Sequence, residues 1–284
     1  MLRRCALFSL IAAFAPLFLV SGATWPLAGS DPAAGPELGT HGMVSSAHHL
    51  ATQAGIDILR KGGNAFDAAV SVAAALNVVE PMMSGIGGYG TILVYSASER
   101  RVRYLDSSGK IPVSVDSDVF RAPTPGYQEN RRGPKAVSTP GNVNAWESLS
   151  STYGKLPWEE LFAPAIALAV QGFALGGGAA GSIANAFDSF PGHAREIYGR
   201  EGRPLGPGEL LVQEDLARSL RQIAREGSRA VYGGSIGRAI DAAMKAAGGF
   251  LSIKDLEQDK AEWWHPIQIK YRDCEVYTAS PPAT

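Results

Sequence analysis

Cysteine is nearly absent from this chain, with only Cys5 and Cys274 in 284 residues. That excludes a disulfide-stapled scaffold and any thiolate-rich metal ribbon, both of which need cysteines in sets. An excess of either charge is missing too. Twenty-six basic residues against 27 acidic ones leave a formal charge of −1, so nothing favours nucleic acid or an anionic membrane surface as a partner. The adjacent pair His48-His49 has no further His/Cys ligand set nearby, and successive side chains diverge on a helix or strand, so a metal is rejected. Gly176-Gly177-Gly178 lacks the Lys-Ser/Thr that would make a phosphate loop. No other motif calls for a cofactor. Nor does any apolar run reach the ~20 residues that span a bilayer. Cys5 to Val20 falls short and is interrupted by Ser9 and Pro16.

What that run does resemble is an export signal. Arg3-Arg4 precede the apolar core, and Ser21-Gly22-Ala23 supplies a small-residue cleavage site. Residues 1–23 are therefore expected to be a removed signal peptide, with no stable membrane anchor and with the product exported, periplasmic or secreted. Cys5 leaves with the signal. Cys274 stays, flanked by Asp273 and Glu275, whose charge disfavours the thiolate, so it is read as inert. Residues 24–39, punctuated by Pro and Gly, form a flexible leader. Residues 40–284 show no later linker-like break, and a chain that is 45% hydrophobic can bury a single core.

The middle of that domain is organised around Gly62 to Gly90. Gly62-Gly63 stop a helix expected over Leu50–Lys61, whose Leu50, Ala51, Ala54 and Ile58 share a face and whose Asp57 and Lys61 have ion-pair spacing. Asn64 and Asp67 then start a helix that is apolar on every face through Val79, hence buried all round. Glu80-Pro81 ends it. The run Gly85-x-Gly87-Gly88-x-Gly90 follows a helix and opens a strand, the reverse of a dinucleotide fingerprint, so it reads as a tight crossing.

Elsewhere, a buried strand is expected at Gly42–Ala47 and antiparallel strands at Thr91–Tyr95 and Arg101–Leu105. Residues 113–135 read as a polar surface excursion. Helices should run from about Gly141 to Tyr153 and from Trp158 to Gln171, the latter with Ala165, Leu168 and Ala169 inward. Gly176–Ala180 should form a loose crossing. Two amphipathic helices follow, at Asp215–Arg225 and at Ile236–Ala247, the second packing through Ile236, Ile240, Ala243 and Ala247. Strands Ile267–Tyr271 and Glu275–Tyr277 end the chain as an exposed edge.

The order of these features resembles the front end of the γ-glutamyltransferase (γ-glutamyltranspeptidase) family. The carriers are Gly42-Met-Val-Ser-Ser46, Gly62-Gly-Asn-Ala-Phe-Asp-Ala-Ala69, Val79-Glu-Pro81, Ser84-Gly-Ile-Gly-Gly88, Ser138-Thr-Pro-Gly141, Tyr232-Gly-Gly234 and Asp255-Leu256. The likeness is collinear from about Gly42 to Pro282. It implies an α/β fold, the αββα sandwich of an N-terminal nucleophile hydrolase, here incomplete. It also implies a precursor that cuts itself into large and small subunits. The new N-terminal threonine of the small subunit would be the nucleophile, activated by its own α-amine. The Thr-Thr-His-type processing motif does not occur here, so no catalytic residue is expected in this chain, and the nucleophilic threonine is expected beyond Thr284. The implied partners are that small subunit and a small-molecule γ-glutamyl or other acyl amide substrate. The chain alone should be inactive.

For substrate binding, the resemblance points to Asp106-Ser-Ser-Gly-Lys-Ile-Pro112. Transpeptidases of the family carry an arginine two positions after the aspartate, to clamp a substrate carboxylate; here that position is Ser108. Branches with a Ser-Gly-Arg-Ala-Pro-like run match better, with Lys110 in place of the arginine. Lysine is a point charge without the planar fork, which leaves γ-glutamyl specificity open. A related acylase with a non-glutamyl substrate and a non-catalytic remnant are the alternatives.

Overall fold

The computed structural model describes residues 39–116, 118–120 and 131–281. The expected signal peptide, the leader up to residue 38, the tip of the 113–135 excursion and Thr284 lie outside them. No described helix is long and apolar enough to cross a membrane.

Helix α1 (His49–Arg60) starts at His48, whose Nδ1 accepts from Leu50 N at 3.2 Å; the histidine serves as a cap. It buries Ala51, Ala54, Gly55 and Ile58, the anticipated face. The expected Asp57–Lys61 pair does not form. Lys61 is the C-terminal cap, and Asp57 turns back to Gln53 (2.7 Å) and sideways to Arg60 (3.6 Å). Gly62, at φ 92°, reverses the chain into α2 (Ala65–Val79).

The start of α2 is heavily pinned. Asn64 Oδ1 accepts from Phe66 N and Asp67 N, and Asp67 Oδ2 accepts from Asn64 N at 2.9 Å, closing a capping box. The same fully buried carboxylate accepts from Lys155 N at 3.0 Å, while Asn64 Nδ2 donates to Tyr153 O at 2.6 Å. A Cβ on Gly154 would stand 2.8 Å from Asp67 Oδ1, so that corner of the chain fits only without a side chain.

Burial of α2 on every face is not what folds. Ala65 and Ala69 are exposed, and Val72, Ala73 and Leu76 are half-buried along a groove shared with residues 41–45. Gly42–Ala47 joins no sheet among the described residues and so does not become the expected strand.

Strands β1 (Gly90–Ser96) and β2 (Arg101–Ser107) pair antiparallel, from Gly90 opposite Ser107 to Ser96 opposite Arg101. Alternation sends Val94 and Leu105 into the main core and leaves Leu93 (43% exposed) and Tyr95 (62%) on the other face. After α3 (Asn142–Tyr153), the single helix expected over Trp158–Gln171 splits into a 3-10 turn, Trp158–Phe162, and α4 (Ala163–Gln171). Pro164 has no N–H for a continuous ladder and sits instead in the first turn of the new helix. Ala165 and Ala169 are buried there, Leu168 only partly.

Strand β3 (Phe173–Ala174) leads to α5 (Gly177–Ala186), so the glycine-rich run begins a helix and is not a loose crossing. Burial of Ala180 and Ile183 outweighs the poor helix propensity of glycine. Helix α6 (Gly192–Tyr198) and the short strands β4 (Gly199–Arg200), β5 (Arg203–Pro204) and β6 (Leu210–Leu211) follow. Helix α7 (Glu214–Glu226) buries Ala217, Leu220, Ile223 and Ala224. Helix α8 (Ser235–Ala247) packs through the expected Ile236 and Ile240, both partly buried, and through Gly237, Asp241 and Met244, whereas the expected Ala243 and Ala247 face out. Gly237 permits the close contact, because a Cβ there would collide with the carbonyl oxygen of Val231.

Helix α9 (Ile253–Gln258) is capped by Ser252 and Asp255, and Asp255 Oδ1 also accepts from Val113 N at 2.8 Å. Strand β7 (Glu262–Trp264) completes the sheet in the order β1-β2-β7. Strands β8 (Ile267–Tyr271) and β9 (Cys274–Thr278) form a separate hairpin whose Ile267, Ile269, Tyr271 and Val276 are exposed.

Replacing Asp67 strands backbone donors of two segments at once, so Asp67→Ala should cost about 3 kcal/mol in denaturant unfolding. Asp255 gives a pH signature. Burial pushes its carboxyl up, but hydrogen bonds from Ser252 and from Val113 N outweigh that and hold it below the ordinary 3.8. Its contribution is therefore complete above pH 3.8 and is lost as pH falls through the lower folded value; Asp255→Asn should remove that acid slope from the unfolding free energy.

Candidate functional site

The expected site segment, Asp106 to Pro112, leaves the end of β2 and is held by a crossing of glycine-rich strands of backbone. Asn77, buried in α2, donates through Nδ2 to Ser84 Oγ at 2.9 Å and so moors the loop that follows the helix. Further along that loop, Gly88 O accepts from both Gly141 N and Asn142 N, each at 3.0 Å. Ser107 Oγ donates to Gly90 O at 2.8 Å and accepts from Gly90 N at 3.1 Å. Thr139 N donates to Lys110 O at 2.8 Å.

Room, rather than dihedral angle, demands the glycines. Gly141 has φ −115°, open to any residue, yet a Cβ there would collide with Ser107 O. On Gly88 a Cβ would meet Asn142 Nδ2 at 2.7 Å, and on Gly109 it would meet Ser138 Oγ at 2.5 Å.

Ser108 and Asp106 lock together at the top of this crossing. Asp106 Oδ1 accepts from Ser108 Oγ (2.5 Å), Ser108 N (3.0 Å) and Tyr104 OH (3.0 Å). Partial burial pushes the Asp106 carboxyl up, but the Ser108 and Tyr104 hydrogen bonds and the Lys110 charge outweigh it and hold the group below the ordinary aspartate value. The Tyr104 hydroxyl is correspondingly raised, by burial first and then by Asp106. Ser108 N and Oγ both donate to the same Asp106 oxygen, which closes the turn on itself.

Lys110 stands beside them, half exposed, with Nζ 3.8 Å from Glu262 Oε1. Glu262 is directly opposite Asp106 in the β2–β7 register, hence on the same face, and its Oε2 accepts from Trp264 Nε1 at 3.1 Å. Asp259 lies behind, buried, with Oδ2 accepting from Asn144 Nδ2 at 2.8 Å. Burial raises its carboxyl; Lys110 opposes the shift while Asp106 and Glu262 add to it. The structure thus brings Ser108 and Lys110 onto one surface, with Ser108 engaged by Asp106 and Lys110 facing carboxylates. Tyr104, Asp259, Glu262 and Trp264 went unnoticed in the sequence. Only Tyr104 had a local signal, its alternation with Asp106 along β2.

Among the described residues no group of His, Cys, Asp and Glu is arranged to hold a metal.

The sequence pattern of the Gamma-glutamyltranspeptidase family matches residues 51–284. The chain belongs to that family. It is 36% identical over 256 residues to a glutathione hydrolase proenzyme of Pseudomonas sp. (strain A14), covering 86% of this chain and 43% of the relative. It is 39% identical over 260 residues to the acylase ACY 1 proenzyme of Pseudomonas sp. (strain V22), covering 88% and 46%. The crystal structure of Helicobacter pylori gamma-glutamyltranspeptidase superposes with a TM-score of 0.84 at 30% identity, over 87% of this chain and 72% of that one. The fold is therefore the N-terminal nucleophile hydrolase type, in part, since the chain spans less than half the length of these two curated relatives.

Gly141→Ala should force the α3 start away from Ser107. We expect a loss of about 2–3 kcal/mol in unfolding experiments, with protease sensitivity appearing first at residues 107–112.

Proposed function

We propose that this chain is the large-subunit portion of an exported enzyme that transfers or hydrolyses the acyl group of a small-molecule amide, a γ-glutamyl group of the glutathione type or a related acyl. The nucleophile is the N-terminal threonine of a small subunit, contained in the length of the relatives that this chain does not span, with its α-amine as base. The reading is carried by the fold likeness over 87% of the chain combined with the family match over residues 51–284. The open sheet face bearing Leu93 and Tyr95 supports it, being an apolar surface of the kind that a further layer covers. In this role the segment Asp106–Lys110 lines the acyl pocket, with Ser108 fixing the turn and Lys110 carrying the cation.

A second reading, an acylase with a non-glutamyl substrate, is favoured by one observation. Ser108 occupies the place of a carboxylate-clamping arginine, and its hydroxyl is spent on Asp106. The acylase ACY 1 relative and the likeness to cephalosporin acylase from Bacillus halodurans, at TM-score 0.75, fit this branch.

The test is turnover of acyl p-nitroanilides by residues 24–284 alone and by the same chain joined to the remaining half. Release of nitroaniline only with both halves is the expected result. Activity from residues 24–284 alone would overturn the assignment of the nucleophile, and none from either would favour a non-catalytic role.

A further inference from the structure

Lys110 is the cation of the proposed acyl pocket, but its surroundings spend that charge. Antiparallel register places Asp106 and Glu262 directly opposite one another on one sheet face, a like-charge pair that costs stability unless a cation stands between. Lys110 is that cation. Its ammonium lies 3.8 Å from Glu262 Oε1, and its charge also acts on Asp106 and on buried Asp259. Glu262 does not drift, because Trp264 Nε1 donates to its Oε2 at 3.1 Å and the Trp264 ring stands edge-on to Tyr104, with centroids 6.4 Å apart. Tyr104 in turn donates to Asp106. The network runs Trp264–Glu262–Lys110, with Tyr104 and Asp106 joined beside it and the Lys110 charge acting on Asp106.

We propose that Glu262 is a specificity-determining residue: by occupying Lys110, it makes this pocket select acyl groups that carry no carboxylate at that end. The inference rests on the acyl-transfer reading above and commits to one of its branches. A substrate carboxylate would compete with Glu262 for Lys110 and would also approach Asp106. An uncharged acyl end meets no such repulsion and leaves the network intact.

The experiment uses the chain joined to its remaining half and compares KM and kcat for γ-glutamyl p-nitroanilide and for an uncharged acyl p-nitroanilide of similar length. The native protein should prefer the uncharged acyl. Glu262→Gln should lower the ratio of the two KM values by about fivefold toward the γ-glutamyl substrate, the weight of one partly exposed charge contact. Lys110→Arg should retain the native preference. A merely structural role for Glu262 would move both substrates together. Equal effects on both, or a native preference for γ-glutamyl, overturns the proposal.

A second measurement does not depend on turnover. Lys110 amine labelling by an acylating reagent, read by mass spectrometry on residues 24–284, should speed up in Glu262→Gln, because the amine is then no longer held against its carboxylate partner. An unchanged rate refutes the pairing. If no anilide is cut by the joined protein, the acyl-transfer reading falls, while labelling still decides whether Glu262 holds Lys110.

Discussion

One carbonyl oxygen, that of Gly88, connects the two halves of the site. It accepts two backbone hydrogen bonds from the start of α3, and the contact is possible only because Gly141 has no side chain to strike Ser107. Through that crossing, the loop after α2, the end of β2 and the start of α3 become a single rigid junction. Neutral backbone bonds are each worth about 1 kcal/mol net, so the junction derives its strength from closeness and number. Asp106 to Lys110 emerge from it, which is why a short, glycine-containing turn can hold a fixed shape at a half-exposed surface.

The junction also explains why the two residues singled out in the sequence differ in fate. Ser108 lies within the turn and folds back on Asp106, so its chemistry is local. Lys110 lies where the turn opens, so its partner is set by β7, more than 150 residues later in the chain. Charge at this surface is decided by strand pairing and cannot be inferred from the turn's own sequence.

Much of the fold was legible because its signals were local. The Asn64/Asp67 cap, the apolar run to Val79, the β1–β2 pair, the α7 helix and the terminal hairpin all reside in windows short enough to read directly. Several failures arise where tertiary contact overrides local preference: Gly237 lets α8 lie against the Val231 carbonyl, and burial of Ile183 recruited glycines into α5. The split at Pro164 is local, and Gly42–Ala47 joins no sheet among the described residues. At the site, Ser108 and Lys110 came through resemblance, whereas Glu262, Asp259 and Trp264 required the β2–β7 register.

The central claim is that these residues form one wall of an acyl pocket whose reactive hydroxyl belongs to another segment. The most direct measurement is to label the nucleophile with an acyl chloromethyl ketone, which alkylates it with loss of chloride, on the chain joined to its remaining half, and to map the adduct by peptide mass spectrometry. An adduct on an N-terminal threonine outside these 284 residues is the expected result. An adduct on any serine, threonine or cysteine between Thr40 and Ser280 would contradict it.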